Sequence, residues 1–453
     1  MPKFFGNPKN PKFLVEKLKF APHCPPKQYF FGIKKVSLPH KPATKWFVKL
    51  FMLKNKNPII FIFITLLVDV IGIGLIIPVL PQLVQQLTQT DLSHAARYSG
   101  WLIASYALMQ FICSPIVGGL SDQYGRRPVL LASLAGLGID YIFMAVAPTI
   151  GWLFVGRIIA GIAGASFTTA TAYIADISTP EKRAQNFGMV GAAFGLGFIL
   201  GPLLGGLLGE LGLRVPFYAA AVMSSLNWLY GFFILPESLL LENRRPFNWR
   251  RANPVSSLLN LKKYPLLFGL VSCAVFVNLA GQTHPSTWAL FTMKMFNWSS
   301  AQVGYSLAFV GVMIAFVQGF LIRKAVPMLG ENRAIMIGLF FFAFGFFLFG
   351  IASRGWMMYA IMIPFSLSGI AGPTLQALMT KQVPADAQGE LQGALTSLVS
   401  LTTIIGPLVS TSLFAYFTSP DAPVHVPGAA FLMASLLGLI AWFIFLKVQP
   451  QQA

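Results

Sequence analysis

Apolar residues in this chain run in blocks of about twenty, separated by short stretches rich in Gly, Pro and charge. A helix needs about 20 mostly apolar residues to cross a bilayer's hydrocarbon core. The blocks therefore predict twelve membrane spans, at roughly 58–80, 98–120, 128–147, 151–175, 185–209, 214–235, 264–290, 302–322, 333–352, 356–380, 390–416 and 427–447. Little length remains for a soluble domain, and the pattern reads as an all-α integral membrane protein.

Composition agrees: 55% of residues are hydrophobic and 10% charged, with a mean hydropathy of +0.68, whereas soluble domains carry about 25% charged residues. The longest internal polar connection, 236–263, holds Arg244, Arg245, Arg250, Arg251, Lys262 and Lys263 and separates six spans from six. The expected organisation is a basic N-terminal tail (1–56), a first half (57–235), a linker (236–263), a second half (264–447) and a short C-terminal tail (448–453). The tail reads as a disordered basic segment on an anionic membrane surface, or as sequence ahead of a start at Met52.

The 33 Lys and Arg against 14 Asp and Glu give a formal charge of +19, which in a soluble protein would suggest nucleic acid. Here the positive residues concentrate in the tail and in alternate connections such as "SDQYGRRP", "DISTPEKRAQ" and "RKAVPMLGENR". That alternation places those connections and both termini in the cytoplasm, and no nucleic-acid partner is expected. Cys24, Cys113, Cys273 and the five histidines are scattered. They suggest neither a disulfide framework nor a metal site, and no paired nucleophile and base marks an enzyme.

The two sets of six resemble each other. Gly125, Gly188, Gly201 and Pro202 recur 205 residues on as Gly330, Gly393, Gly406 and Pro407. Two parallel six-span repeats joined by a basic loop resemble the major facilitator transporters, whose substrate path lies between the halves. "GGLSDQYGRRP" is similar to that superfamily's signature between spans two and three, through Gly118, Asp122, Gly125, Arg126 and Arg127. Gly125 suits a tight turn, and Asp122 can pair with an arginine or face a helix N-terminus of the opposite half. The resemblance implies that Asp176, at the end of span four, completes a cytoplasmic gate. The simpler reading of Arg126 and Arg127 is as positive-inside anchors.

Three charged residues fall well inside first-half spans: Asp69 in "LLVDVIGIGLIIPVLP", Asp140 in "LAGLGIDYIFMAV" and Arg157 in "FVGRIIAGIAGAS". A carboxylate at that depth is costly unless it is paired, hydrated or protonated, which makes the acids candidates for loading and unloading protons with Arg157 as modulator. A static ion pair is the alternative. Gly161 and Ala165 would let a neighbouring helix approach Arg157's backbone.

Gly197, Gly201, Gly205 and Gly209 form a smooth helical ridge. With Pro202 and Gly206 they resemble the G-x-x-x-G-P-x-x-G-G signature of drug/proton antiporters, which implies export. These motifs together with "AYIADI", "LQALMTKQV" and "GELQGALTSL" are similar to the tetracycline/proton antiporters over residues 57–447. Two positions depart from that family: Ile314 and Phe342 stand where it carries a histidine in span eight and an aspartate in span nine. Gln282, Gln376 and Gln382 match family positions, and Asp69, Asn278, Gln282 and Gln376 are the candidate substrate contacts. His284 is expected to be a solvated loop residue near the outer end. The phenylalanines of "FFFAFGFFLF" are expected to face lipid or pack between helices.

The resemblance implies a proton-coupled exporter of an organic, lipophilic compound in a bacterial inner membrane, working as a monomer. Its partners are protons, a small organic substrate and lipid, and its energy source is the proton gradient with no cofactor. An importer or exchanger of a small metabolite remains open, as does a non-transporting membrane receptor.

Overall fold

The computed structural model of the protein describes residues 58–164, 166–247, 265–383 and 388–448. Residues 1–57, Ala165, 248–264, 384–387 and 449–453, and with them the expected basic tail, lie outside the described residues. Among the described residues, twelve helices are long and apolar enough to cross a membrane, from Pro58–Ile76 to Ala429–Val448.

Polar capping and proline placement set helix ends that hydropathy misplaces. The second span runs Leu92–Tyr124, longer than 98–120, because the Asp91 side chain accepts from the backbone N–H groups of Ser93 and His94 at 3.3 and 3.2 Å. Those are donors a helix start leaves unpaired. The first span stops at Ile76 rather than 80, and a separate helix, Leu80–Thr88, begins with Pro81 in its first turn, where a missing N–H does no harm.

Four spans are irregular. The fourth is split into Ile150–Ala163 and Ser166–Ile177, and the seventh into Pro265–Gly281 and Thr283–Phe296. The eighth contains a π-helical segment, Val317–Leu321, and the tenth a 3₁₀ segment, Leu367–Ile370.

Lipid tails are as apolar as leucine, so close van der Waals packing rather than water exclusion holds spans together. The glycine ridge of the fifth span does this against the first. A Cβ on Gly197 would lie 2.6 Å from that of Val70, and one on Gly201 would lie 2.8 Å from the Cα of Gly74. Gly205 meets Leu75, and Gly209 meets Val79, in the same way. Gly206 points elsewhere: its Cβ would lie 2.5 Å from the Ser300 carbonyl oxygen and 3.1 Å from the Cα of Gly304, in the eighth span. One helix thus builds its own half with one face and meets the other half with the next.

The halves are joined by hydrogen bonds at one end. Ser300 Oγ donates to Gln82 Oε1 at 3.1 Å, the Ala301 N–H donates to Glu210 Oε1 at 3.0 Å, and Ser93 Oγ donates to the Thr418 carbonyl at 3.0 Å. At the opposite end of the second and eighth spans stand Gly125 and Gly330, with φ of +104° and +79°. The repeat extends there to an ion pair of inverted polarity. Arg126 Nε pairs with Asp176 at 3.1 Å, and 205 residues on Lys381 Nζ pairs with Glu331 at 2.6 Å. Inside the membrane the symmetry of charge ends, since the counterparts of Asp69, Asp140 and Arg157 are Ala274, Gly345 and Met362.

The phenylalanine run divides by face. Phe342, Phe346 and Phe349 are buried, packing with Phe365, while Phe340, Phe344 and Phe347 are 41–48% exposed on the outside of the helix.

Candidate functional site

At the gate-motif end, Arg126 is the hub. Its guanidinium reaches Asp122 at 2.5 Å and Asp176 at 3.1 Å, and Ser238 Oγ donates to the same Asp176 oxygen at 3.0 Å. Asp122 therefore pairs within its own half in this conformation, not with a helix of the opposite half. Arg127 turns away and donates to the Phe232 carbonyl at 2.7 Å, while Gly118 has open space where a Cβ would sit.

Glu237 is the member that sequence reasoning missed. Its carboxylate accepts from the backbone N–H groups of Arg126 at 2.8 Å, Arg127 at 3.2 Å, Ser238 at 3.0 Å and Leu239 at 3.1 Å. It caps the N-terminus of the third span, where negative charge is favoured. The signal was an acid directly after the sixth span, on the side to which the topology returns the gate motif. The connection beyond it is laced to the same motif, as the Arg245 N–H donates to the Asp122 carbonyl at 3.1 Å and the Phe247 N–H to Gln123 Oε1 at 3.2 Å.

Within the spans, Asp69, Asp140 and Arg157 wall one cavity of about 430 Å³, lined on its far side by Thr403 and neighbours from the eleventh span. The first span supplies Asp69, whose Oδ2 accepts from Ser166 Oγ at 3.0 Å. Ser166 is placed by the break in span four, where Gly164 ends one helix and its carbonyl accepts from Gln110 Nε2 at 3.1 Å. Asp140 and Arg157 form a buried ion pair through a single guanidinium nitrogen, leaving Asp140 Oδ1 and Arg157 Nε without hydrogen-bond partners. The Arg157 guanidinium also lies 5.8 Å from the Tyr106 ring centre, a cation–π distance. Gly161 packs on Met109 and the backbone of Tyr106, the close approach expected of it, whereas Ala165 is outside the described residues. The two acids thus have different surroundings: one faces a hydroxyl, the other a cation.

Two further cavities continue from this one. The next, of about 250 Å³, shares Arg157, Tyr106 and Thr403 and adds Gln282, whose Nε2 donates to Thr403 Oγ1 at 3.3 Å. The third, of about 550 Å³, shares Ile77, Phe198 and Pro285 with the second, and its walls include Ile314, Phe342 and His284. His284 is therefore not a solvated loop residue. The helix restarts at Thr283 and carries the imidazole onto the Trp288 ring, centres 4.6 Å apart.

Of the candidate substrate contacts, Asp69 and Gln282 line these cavities. Asn278 and Gln376 are not brought to them. Asn278 Nδ2 donates to its own helix at Ala274, 2.8 Å away, and Gln376 is exposed and donates to Gln392 at 3.3 Å.

The arrangement, a chain of cavities between two helical halves with the buried carboxylates and guanidinium on one side, is that of a solute pathway. The Major Facilitator Superfamily profile matches residues 62–407. The chain is 44% identical over 388 residues to the class C tetracycline resistance protein of Escherichia coli, covering 85% of this chain and 97% of that protein. It is 38% identical over 402 residues to the class H protein of Pasteurella multocida, covering 88% and 98%. Among solved structures, the human organic anion transporter MFSD10 matches with a TM-score of 0.64 at 26% identity, over 85% of this chain and 98% of that one. The nucleoside transporter NupG shares the fold, with a TM-score of 0.68 at 16% identity over 87% and 100%. The chain belongs to the Major Facilitator Superfamily, as a multi-pass membrane transporter related to the tetracycline efflux proteins.

Proposed function

We propose that this transporter exports an organic, lipophilic compound, tetracycline-like in class, in exchange for protons. The observation that carries the reading is the single cavity holding Asp69, Asp140 and Arg157, opposite a half whose equivalent positions are Ala274, Gly345 and Met362. Asp69 is the proton carrier because its only described partner is a hydroxyl, which can donate to a carboxylate or accept from a carboxylic acid. Asp140 is held by Arg157, so its charge is compensated and the pair sets the field around Asp69.

In this cycle, protonation of Asp69 from outside releases the substrate, and the halves rock about the cavities. Loss of the proton to the cytoplasm then resets the site. Asp122, Arg126 and Asp176 belong to the cytoplasmic gate, positioned by Gly125, and stabilise the outward-open state. The Gly197, Gly201, Pro202, Gly205 and Gly206 signature supports export. Gln282 lies on the substrate route, between the acidic cavity and the third one. The protein works as a monomer in a bacterial inner membrane with both termini cytoplasmic.

Inverted membrane vesicles test this. With the interior made acidic, tetracycline should accumulate inside and leave again when the gradient is collapsed. Accumulation indifferent to the gradient, or uptake only with the gradient reversed, would refute proton-coupled export.

A further inference from the structure

The third cavity has walls made largely of Ile314, Phe342, Phe346 and Phe365, yet three polar side chains enter it: His284, Gln318 and Ser368. Each stands at a place where its span departs from a regular helix. His284 follows the break between Pro265–Gly281 and Thr283–Phe296, Gln318 is in the π-helical Val317–Leu321, and Ser368 is in the 3₁₀ Leu367–Ile370. Irregular backbone at membrane depth survives only where protein buries it or where it lines a cavity, and π segments within helices concentrate at functional sites. Three such departures around one cavity are therefore informative.

The imidazole of His284 is stacked, with its ring centre 4.6 Å from that of Trp288 at 30° and 6.1 Å from that of Phe365 at 12°. Its Nε2 is buried without a hydrogen-bond partner, although each imidazole nitrogen is always a donor or an acceptor. Trp288 offers only its ring, because its indole N–H is used on Ser306 Oγ at 2.9 Å. Gln318 Nε2 reaches only the Gly369 carbonyl, at 3.5 Å. The cavity thus combines aromatic walls with two polar side chains whose hydrogen-bonding capacity is underused, and no acidic side chain lines it.

We propose that His284 and Gln318 form a second substrate subsite in the C-terminal half, which takes the flat face of a conjugated ring system and hydrogen-bonds polar groups on its rim. This deepens the exporter reading and rests on it for its role in transport. The aromatic walls select a planar, uncharged or charge-delocalised portion of the ligand, while its remainder extends through the middle cavity towards Arg157 and Asp69. His284 acts here by direct contact, with its ring locked in place by Trp288 and Phe365.

The test is equilibrium binding to the full chain in lipid nanodiscs, which needs no gradient, using tetracycline, norfloxacin and acridine orange as probes. At least one probe should bind saturably to the unaltered protein. His284→Phe, which keeps the stacking and removes the nitrogens, should weaken that probe by about tenfold, the size expected for one lost hydrogen bond. Gln318→Leu should weaken it by roughly threefold or more, with the ligand-free melting temperature of each variant unchanged. Affinity in His284→Phe equal to that of the unaltered protein overturns the subsite, as does the absence of saturable binding by all three probes. Weakened binding in the variant alongside absent gradient-driven flux supports the subsite and counts against proton-coupled export alone.

Discussion

Gly205 and Gly206 are neighbours on one helix, yet the structure assigns them opposite consequences when enlarged. A Cβ on Gly206 would lie 2.5 Å from the Ser300 carbonyl oxygen and 3.1 Å from the Cα atoms of Ala301 and Gly304, all in the other half. Restoring the ordinary 3.4 Å contact requires the fifth and eighth spans to part by about 1 Å at this end. Overpacking of this kind costs about 1–3 kcal/mol. Because the contact joins the halves, that cost falls on the conformation closed at the Ser300 end and spares the one open there. The equilibrium should move by roughly 5- to 150-fold towards opening. Gly205 instead meets the backbone of Leu75 within its own half, with a Cβ 2.7 Å from the Leu75 Cα. Gly205→Ala should therefore lower stability in every conformation alike. Spin labels at Gln86 and Asp421, both exposed and on opposite halves, would report the width of this end by pulsed dipolar spectroscopy in a cysteine-free background. Gly206→Ala should enrich the long-distance population, and Gly205→Ala should lower the melting temperature without changing the distribution. Identical distributions in Gly206→Ala and the parent would refute the assignment of this face to the moving interface.

Two other perturbations follow from the ion pairs. Arg157→Ala leaves the fully buried Asp140 without its cation and should destabilise the protein by about 3–5 kcal/mol, whereas the double variant Arg157→Leu with Asp140→Leu should recover most of the melting temperature. A double variant no more stable than Arg157→Ala would contradict the pairing. Glu331→Lys should cost at most about 1 kcal/mol, since Lys381 is 60% exposed and the pair is screened, and adding Lys381→Glu should restore the loss by rebuilding the polarity of the first half's Arg126–Asp176 pair. Failure to restore it would mean that the inverted pair is not a self-contained unit.

Much of the fold is legible in the sequence because bilayer thickness dictates the length of each apolar block. Asp69, Asp140 and Arg157 stand out for the same reason, as charge at depth is rare and costly. What hydropathy misses are features indifferent to it. The breaks at Gly164 and Gln282, the π segment around Gln318 and the 3₁₀ turn at Ser368 sit inside apolar runs whose average conceals them. Without the restart at Thr283, His284 reads as the polar edge of a span rather than part of a cavity wall. Glu237 carries no such signal because its hydrogen-bond donors are backbone N–H groups, which leave no mark on residue identity. Glycine and proline repeats 205 residues apart are visible by identity, but the Arg126–Asp176 and Glu331–Lys381 correspondence inverts charge and so looks like divergence until the geometry shows equivalent pairs. Asn278 and Gln376 stand out as polar residues in apolar spans, yet residue identity does not show their partners, the Ala274 carbonyl of the same helix for Asn278 and Gln392 of the eleventh span for Gln376.

In the proposed mechanism, Asp69 carries the proton that the substrate is exchanged for. The most direct measurement is proton release from inverted vesicles, followed with a pH-sensitive dye on adding tetracycline, for the parent and for Asp69→Asn. That variant preserves the shape of the side chain and its contact with Ser166. Substrate should trigger proton release in the parent and not in Asp69→Asn, with the protein still folded. Undiminished proton release from Asp69→Asn would contradict that role for Asp69.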